Sequence, residues 1–294
     1  MSNIVRETAA ETIGQGIFPL TKEDFRQISA ILHEDAGIFL SDAKQTLVYS
    51  RLTKRLRALG LENFRDYCKL VSSSEGLDER QQMIAALTTN VTSFFREPHH
   101  FDHLKNHVLA PKADHVRKGG RLRIWSAACS NGQEPYSIAM SILSVIPEAA
   151  NLDVRVLATD IDQNMIAAGI AGVYSDEAIG AVPKALRDRW FVPGDRGANA
   201  WVVNDTLASL VAFRELNLIG AWPMKGRFDA IFCRNVVIYF EEKTQQTMWM
   251  RFLPAMTPDA RLYIGHSERI SGEAQNHFVG DGVTTYRLRQ GDRR

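Results

Sequence analysis

Between Arg121 and Gly265, short β-branched or aromatic runs alternate with segments of helical pattern. The runs are residues 122–125, 154–158, 210–216, 228–232 and 261–265. One helix opens at Pro135, which suits a first helical turn, and another spans about residues 243–252. This alternation constrains the fold more than any other feature. Parallel neighbours need a crossover, usually a helix, so the expectation is a doubly wound parallel sheet. A terminal hairpin is expected over residues 277–289, with its turn at Gly280, Asp281 and Gly282. From about residue 172 to 204 proline, glycine and charge interrupt the rhythm, which reads as an insertion.

The chain ahead of this region has another character. Thr21 and Asp24 have the spacing of a capping box, and Phe25, Ile28, Ile31 and Leu32 recur at helical spacing. Further helix is expected over residues 41–59, ended by Gly60, and over 61–71 and 77–87. Residues 21–88 therefore read as an all-helical domain. Residues 1–20 read as a loose leader with Ile17, Phe18 and Leu20 to dock, and residues 89–115 as a linker helix. Residues 116–294 form the α/β domain, with the insertion at about 173–204.

Composition excludes several classes. A length of 294 residues suits about two domains. With 45% apolar and 23% charged residues, wholesale disorder is excluded. The balance of 35 basic and 34 acidic residues leaves +1, too little to bind nucleic acid through bulk charge. Cys68, Cys129 and Cys233 are scattered, which excludes a disulfide framework and suits a reducing compartment. The longest apolar stretch, residues 136–146, is well short of the ~20 needed for a span. No signal core opens the chain, so a cytoplasmic location is expected.

The first strand–loop–helix reads RLRIWSAACSNGQEPYSIAMSI from Arg121. Such a turn offers small residues and a helix N-terminus to a ligand. The dinucleotide pattern G-x-G-x-x-G is absent, because Ala127 and Ala128 stand where glycines would and only Gly132 remains. Asp160 ends the next strand, where a carboxylate can accept ribose hydroxyls. Its alternative role is to cap the following helix. Glu134 can accept an amino group or merely complement a helix dipole. A nucleoside ligand without pyrophosphate fits best, S-adenosylmethionine among them, with NAD open on spacing alone.

Six segments carry a resemblance: TTNVTSFFREPHHF from Thr88, WSAACSNGQEPYSIAM, ATDID, LNL, FDAIFCRNVVIYF and GHSE. Together they resemble the CheR family of chemotaxis receptor methyltransferases, in order over about residues 21–289. The resemblance implies a Rossmann-like class I methyltransferase domain with a small inserted β-subdomain, preceded by an all-α N-terminal domain. It implies methyl transfer from S-adenosylmethionine to chemoreceptor glutamates, with S-adenosylhomocysteine as product. Asn90, Thr92 and Arg96 would close over the cofactor. Glu134 would take its amino group, Asp160 the ribose, and Asn217 and Leu218 the adenine or ribose. Arg234 and Asn235 would line the methyl-donor end. Arg96 and Tyr239 are the catalytic candidates, Arg96 toward the cofactor and Tyr239 orienting the target carboxylate.

A glutamate-rich receptor helix calls for a basic reader. In residues 45–60, Val48, Leu52, Leu56 and Leu59 share one helical side, while Arg51, Lys54, Arg55 and Arg57 supply cations. The pattern alone favours a solvated face; the resemblance makes it the receptor contact. The loop PGDRGANA is short against peptide-capturing relatives, so no receptor C-terminal tether is expected. The partner is the cytoplasmic domain of a chemoreceptor, without nucleic acid or membrane insertion, and the chain is expected to be a monomer. His99, His103 and His107 fall at i, i+4 and i+8, but no HExxH or cysteine joins them, and no metal is expected. Two rival readings are a methyltransferase for RNA or a small molecule, and a cofactor-sensing adaptor without turnover.

Overall fold

The computed structural model describes residues 17–194, 199–289 and 291. The chain divides into two compact units, Met1–Thr89 and Asn90–Arg294.

The first unit is all helical: α1 (Lys22–Ala36), α2 (Gln45–Leu59), α3 (Phe64–Ser72) and α4 (Leu77–Leu87). The capping box is present, with Asp24 N donating to Thr21 Oγ1 (3.1 Å) and Thr21 N to Asp24 Oδ2 (3.0 Å). Phe25, Ile28, Leu32, Val48, Leu52, Leu56, Phe64, Tyr67, Val71 and Met83 are fully buried or nearly so. Leu59 departs from the expected stripe and is 39% exposed, because α2 ends at Gly60 in a left-handed conformation (φ 67°). Of the expected leader, Phe18 and Leu20 are buried while Ile17 is exposed, and residues 1–16 lie outside the described residues.

In the second unit, α5 (Pro98–Leu104), a π-helical turn (Lys105–Leu109) and α6 (Ala110–Arg117) precede the first strand. Sequence reading made this stretch a linker. Here it is core: Phe94, Phe101, Leu104, Val108 and Leu109 are buried in one cluster with Ile138, Ile142, Phe232 and Tyr263. The order then runs β1 (Leu122–Ala127), α7 (Gln133–Val145), β2 (Val154–Asp160), α8 (Gln163–Ala171), β3 (Val173–Ser175), α9 (Asp176–Ile179) and α10 (Lys184–Trp190). It continues with β4 (Phe191–Pro193), β5 (Ala200–Val203), α11 (Asp205–Ala208), β6 (Val211–Glu215) and β7 (Phe228–Cys233). The last elements are α12 (Glu242–Phe252), β8 (Met256–Ile264), β9 (Phe278–Gly282) and β10 (Thr285–Leu288).

Seven strands form one sheet in the order β6-β2-β1-β7-β8-β10-β9. Pairings from β6 through β8 are parallel, and β10 runs antiparallel to β8 and β9. All six residues of β7 are buried, as a central parallel strand covered on both faces requires. The second sheet, β3-β5-β4, is antiparallel and forms the inserted subdomain. Residues 195–198 of the PGDRGANA loop lie outside the described residues. The terminal hairpin exists with a different turn. Gly280, Asp281 and Gly282 lie within β9, and the reversal falls at Val283 and Thr284, the latter at φ 48°.

Chain order runs outward from β1 through β2 to β6, then resumes at β7 on the other side of β1. The carboxyl ends of β1 and β7 therefore flank a topological switch point, where open α/β sheets bind ligands.

Candidate active site

The loop after β1 turns tightly. Ala128 (φ 59°), Ser130 (φ 50°) and Gly132 (φ 93°) alternate in left-handed conformations, two of them without glycine's freedom. Neighbouring strand ends hold that geometry. Cys129 N donates to Thr159 O (2.8 Å), and Ser130 N to Asp160 Oδ2 (2.7 Å). Asp160 Oδ1 accepts from Asp162 N (3.0 Å). Burial pushes the Asp160 carboxyl above its ordinary range, against these backbone donors. The cap of α8 is Asp162, which accepts from Asn164 N (2.9 Å). Asp160 is thereby released from the capping role that the sequence left open.

Asn90 ties the segment before α5 to this edge. Its Nδ2 donates to Asp162 Oδ2 (2.9 Å), and its carbonyl accepts from Ser130 Oγ (2.9 Å). Arg96 Nη1 donates to Val91 O (3.0 Å), bracing the turn that contains Thr92.

Behind the loop lies a buried charge cluster. Glu134 accepts from Ser126 Oγ (2.7 Å) and Arg234 Nη1 (3.1 Å). Arg234, at the end of β7, also pairs with Glu97 (3.2 Å), donates to the Arg96 carbonyl and lies over the Phe101 ring. Burial raises the Glu134 carboxyl above its ordinary value, although Arg234 and Ser126 oppose this. At Glu97 burial also pushes upward, but Arg234 and His266 outweigh it and the carboxyl is held low. Arg234 thus acts as an internal cation between two carboxylates. Sequence reading placed its side chain along the donor pocket; the structure commits most of its donors to the protein.

Glu268, from the GHSE segment, was not singled out as a site residue. Its buried carboxylate accepts four backbone N–H groups: Asn235 (3.0 Å), Val236 (3.0 Å), Val237 (2.8 Å) and Gly265 (2.6 Å). It therefore fixes the turn after β7 that carries Asn235, at φ 57°, and the short helical turn Val237–Tyr239. An acid three residues beyond a strand-ending glycine was the available signal. Glu97 was missed in the same way, although it sits in the quoted FFRE segment. Asn217 accepts from Ile219 N (3.1 Å), and Leu218 is buried beside it in the turn after β6.

Glu97, His99 and His100 bring potential ligand atoms within 4.8 Å of one another. The Glu97 charge there is already balanced by Arg234. His103 joins Tyr263 and the Asp281 carbonyl, and stacks on His107. Burial pushes the Cys129 and Cys233 thiols well above their ordinary value, so neither is a ready nucleophile.

The basic residues of α2 divide into two kinds. Arg51 donates to the carbonyls of Ala86 (3.3 Å), Leu87 (2.9 Å) and Thr88 (2.6 Å), closing the C-terminus of α4. Arg55 forms a fork on buried Glu79, which also accepts from the Tyr67 hydroxyl. These two cations serve the fold of the helical unit, which corrects their reading as surface cations. Lys54 and Arg57 are exposed, with Arg57 over the Phe18 ring.

Comparison with known proteins gives the same division of the chain. Residues 23–88 match the CheR methyltransferase all-alpha domain, and residues 90–286 match the CheR methyltransferase SAM binding domain. The chain belongs to the CheR methyltransferase family. A probable chemotaxis protein methyltransferase of Rhizobium etli is 52% identical over 258 residues, covering 87% of this chain and 96% of the relative. The chemotaxis protein methyltransferase of Escherichia coli is 41% identical, covering 92% of each chain. Chemotaxis protein methyltransferase 2 of Pseudomonas aeruginosa is 40% identical, covering 89% and 91%. The chain is accordingly an S-adenosylmethionine-dependent methyltransferase of chemotaxis, with the Rossmann-like fold that its motifs imply.

The residues present suit that cofactor. The Asp160 oxygens offer about four acceptor sites, more than the backbone groups occupy, so ribose hydroxyls can be accepted. Asn131 Oδ1 and Arg234 Nε are buried without a hydrogen-bond partner among the described residues, as befits an edge that a polar ligand completes.

Proposed function

We propose that this CheR-family chain methylates glutamate side chains of a chemoreceptor's cytoplasmic domain, forming glutamate methyl esters in chemotactic adaptation. We place it in the cytoplasm, as a monomer. None of the helices of the described residues is long and apolar enough to cross a membrane. The observation that carries the reading is the convergence of Asp160, Asn90 and the 128–132 loop at the switch point of a SAM-binding domain.

The bound cofactor supplies a methyl group on an electrophilic sulfonium. The protein's own residues have three tasks. Asp160 accepts ribose hydroxyls, and Glu134 accepts the methionyl ammonium. Asn90, Thr92 and Arg96 cover the nucleoside, with Asn217 and Leu218 along its base. Asn235 and Tyr239, on the turn fixed by Glu268, orient the receptor carboxylate. That carboxylate, of ordinary pKa near 4.3, is ionised at neutral pH, so no general base is required. Alignment is the catalytic problem, and fixed geometry is what lowers such a barrier. A tight cation on the nucleophile would blunt it, which favours a neutral Tyr239 hydroxyl there and leaves Arg96 to the cofactor.

Receptor contact falls to the exposed cations of α2, Lys54 and Arg57, since Arg51 and Arg55 are spent on the fold. The test is incubation with methyl-labelled S-adenosylmethionine and membranes bearing the source organism's chemoreceptors. Label is expected in the receptor as base-labile ester, and Asp160→Ala is expected to abolish it. Cofactor binding without ester would support the adaptor reading instead.

A further inference from the structure

Three of the four crossovers in the parallel part of the sheet contain a helix: α7 after β1, α8 after β2 and α12 after β7. The connection from β6 to β7, residues 216–227, contains none. Trp222 packs edge-on against Trp125 and covers part of the face that a helix would cover. Beyond it, an open cleft of about 320 Å³ remains. Its apolar lining includes Leu157 and Ala212, which are register neighbours on β2 and β6, together with Met224 and Phe228. Its rim holds five cations: Arg121, Arg123, Arg155, Lys225 and Arg227.

Three of these cations make no ion pair among the described residues. Arg123 pairs with Asp153 (2.5 Å), and Arg155 donates only to the carbonyls of Leu152 and Val154. Arg121 and Lys225 have no hydrogen bond or ion pair among the described residues. Arg123 and Arg227 thus have partners of their own, and Arg121, Arg155 and Lys225 remain without an ion pair among the described residues; three like charges around one concavity repel one another unless an anion sits among them. The cleft opens at the amino ends of β1, β2 and β7; its lining residue nearest the catalytic edge, Leu157, lies three residues before Asp160, about 10 Å along β2, and none of its lining residues is a cofactor candidate. It is therefore separate from the cofactor site.

We propose that this cleft is a second ligand site, for a nucleotide-sized organic phosphate. Guanidinium forks match phosphate oxygens, and the lysine adds a point charge. The apolar lining of Leu157, Ala212, Met224 and Phe228 suits a base, and the volume falls at the small end of the range for ligand clefts. An extended acidic peptide would use the charge but not the apolar lining.

The test uses the full chain saturated with S-adenosylhomocysteine, so that the nucleoside site is closed, and titrates ADP by calorimetry. Binding at one site is expected, weakening as salt rises. The variant R155E/K225E alters two exposed rim residues, and is expected to lower ADP affinity about tenfold or more, the worth of a charged hydrogen bond. Its S-adenosylhomocysteine affinity and methyl transfer should remain those of the parent. Should that variant fold poorly, K225Q, with a smaller loss of affinity expected, is read in its place. No ADP binding, binding unchanged in the variants, or binding abolished by S-adenosylhomocysteine would overturn the proposal. So would a poly-glutamate peptide or phosphatidylglycerol vesicles binding at this rim where ADP does not.

Discussion

At the residue scale, Asp160 does two jobs with one carboxylate. It braces the 128–132 loop through Ser130 N, and in the proposed function it accepts the ribose. Asp160→Asn keeps the shape but turns an anionic acceptor into a half-donor. S-adenosylhomocysteine affinity should fall about tenfold or more, as for a lost charged hydrogen bond, and the thermal midpoint of the free protein should fall too, since the amide NH2 must face the backbone N–H of Ser130 or of Asp162, both of which donate to Asp160. Unchanged affinity by calorimetry would remove Asp160 from the cofactor site. The raised carboxyls give a second prediction. Burial lifts Glu134 above its ordinary value of 4.5 and lifts Asp160 in the same direction. Protonation removes the charge that would hold the ammonium and the ribose. Cofactor affinity should therefore decline as pH falls, beginning above the pH at which an ordinary glutamate titrates. Glu134→Gln should weaken binding at neutral pH and flatten this decline. A wild-type affinity that declines only where an ordinary glutamate titrates, or not at all, would contradict it.

At the scale of elements, the turn after β7 is set by groups with no direct claim on the substrate. Glu268 gathers four N–H donors there, and Gly265 leaves room for the turn. A Cβ on Gly265 would clash with Asn235 Nδ2 and lie 2.8 Å from its backbone nitrogen. Gly265→Ala should thus displace Asn235 and lower kcat about tenfold or more, since small misplacements weigh heavily on aligned displacements, while cofactor affinity changes less. Glu268→Gln, which retains one acceptor oxygen, should show a milder form of the same split. The helical unit gives a contrasting case. Arg51→Ala removes the donor closing α4 and should cost about 1.5–3 kcal/mol, read as a lower urea midpoint. Lys54→Glu with Arg57→Glu should leave that midpoint nearly unchanged and raise the KM for receptor.

These elements also mark how far the sequence could be read. The alternation of strands and helices and the Thr21 capping box were legible, because period and spacing encode them locally; the candidates Glu134 and Asp160 came from the strand–loop–helix pattern, and Asn90 came only from the family resemblance. Asn90, Ser130, Asp160 and Asp162 do meet at one edge. The division of α2's cations was not legible: Arg51 and Arg55 look like Lys54 until their partners, 24 to 37 residues away, are folded against them. The same holds for Glu268, whose role is defined by backbone groups of another strand's turn. The burial of residues 98–117 was equally hidden, because amphipathic helix patterning does not say what covers the apolar side.

At the scale of the whole molecule, the chain carries its cofactor candidates and its receptor candidates in different units. All of the cofactor candidates, from Asn90 to Asn235, fall in Asn90–Arg294, and the basic candidates fall in Met1–Thr89. A ligand that binds only the native form of one unit stabilises the segments it orders by linkage. S-adenosylhomocysteine should therefore slow amide exchange in segments 128–134, 160–164, 216–219 and 234–239. Exchange in α1 through α4 should stay as it is in the free protein. A receptor fragment should do the reverse at first contact, protecting α2 around Lys54 and Arg57, and that protection should fade with salt, because exposed charge pairs are screened within about 8–10 Å. If the cofactor instead protected α1 through α4 as strongly as the loop after β1, the two functions would not be separable by unit. The helical unit would then have to be counted part of the cofactor site.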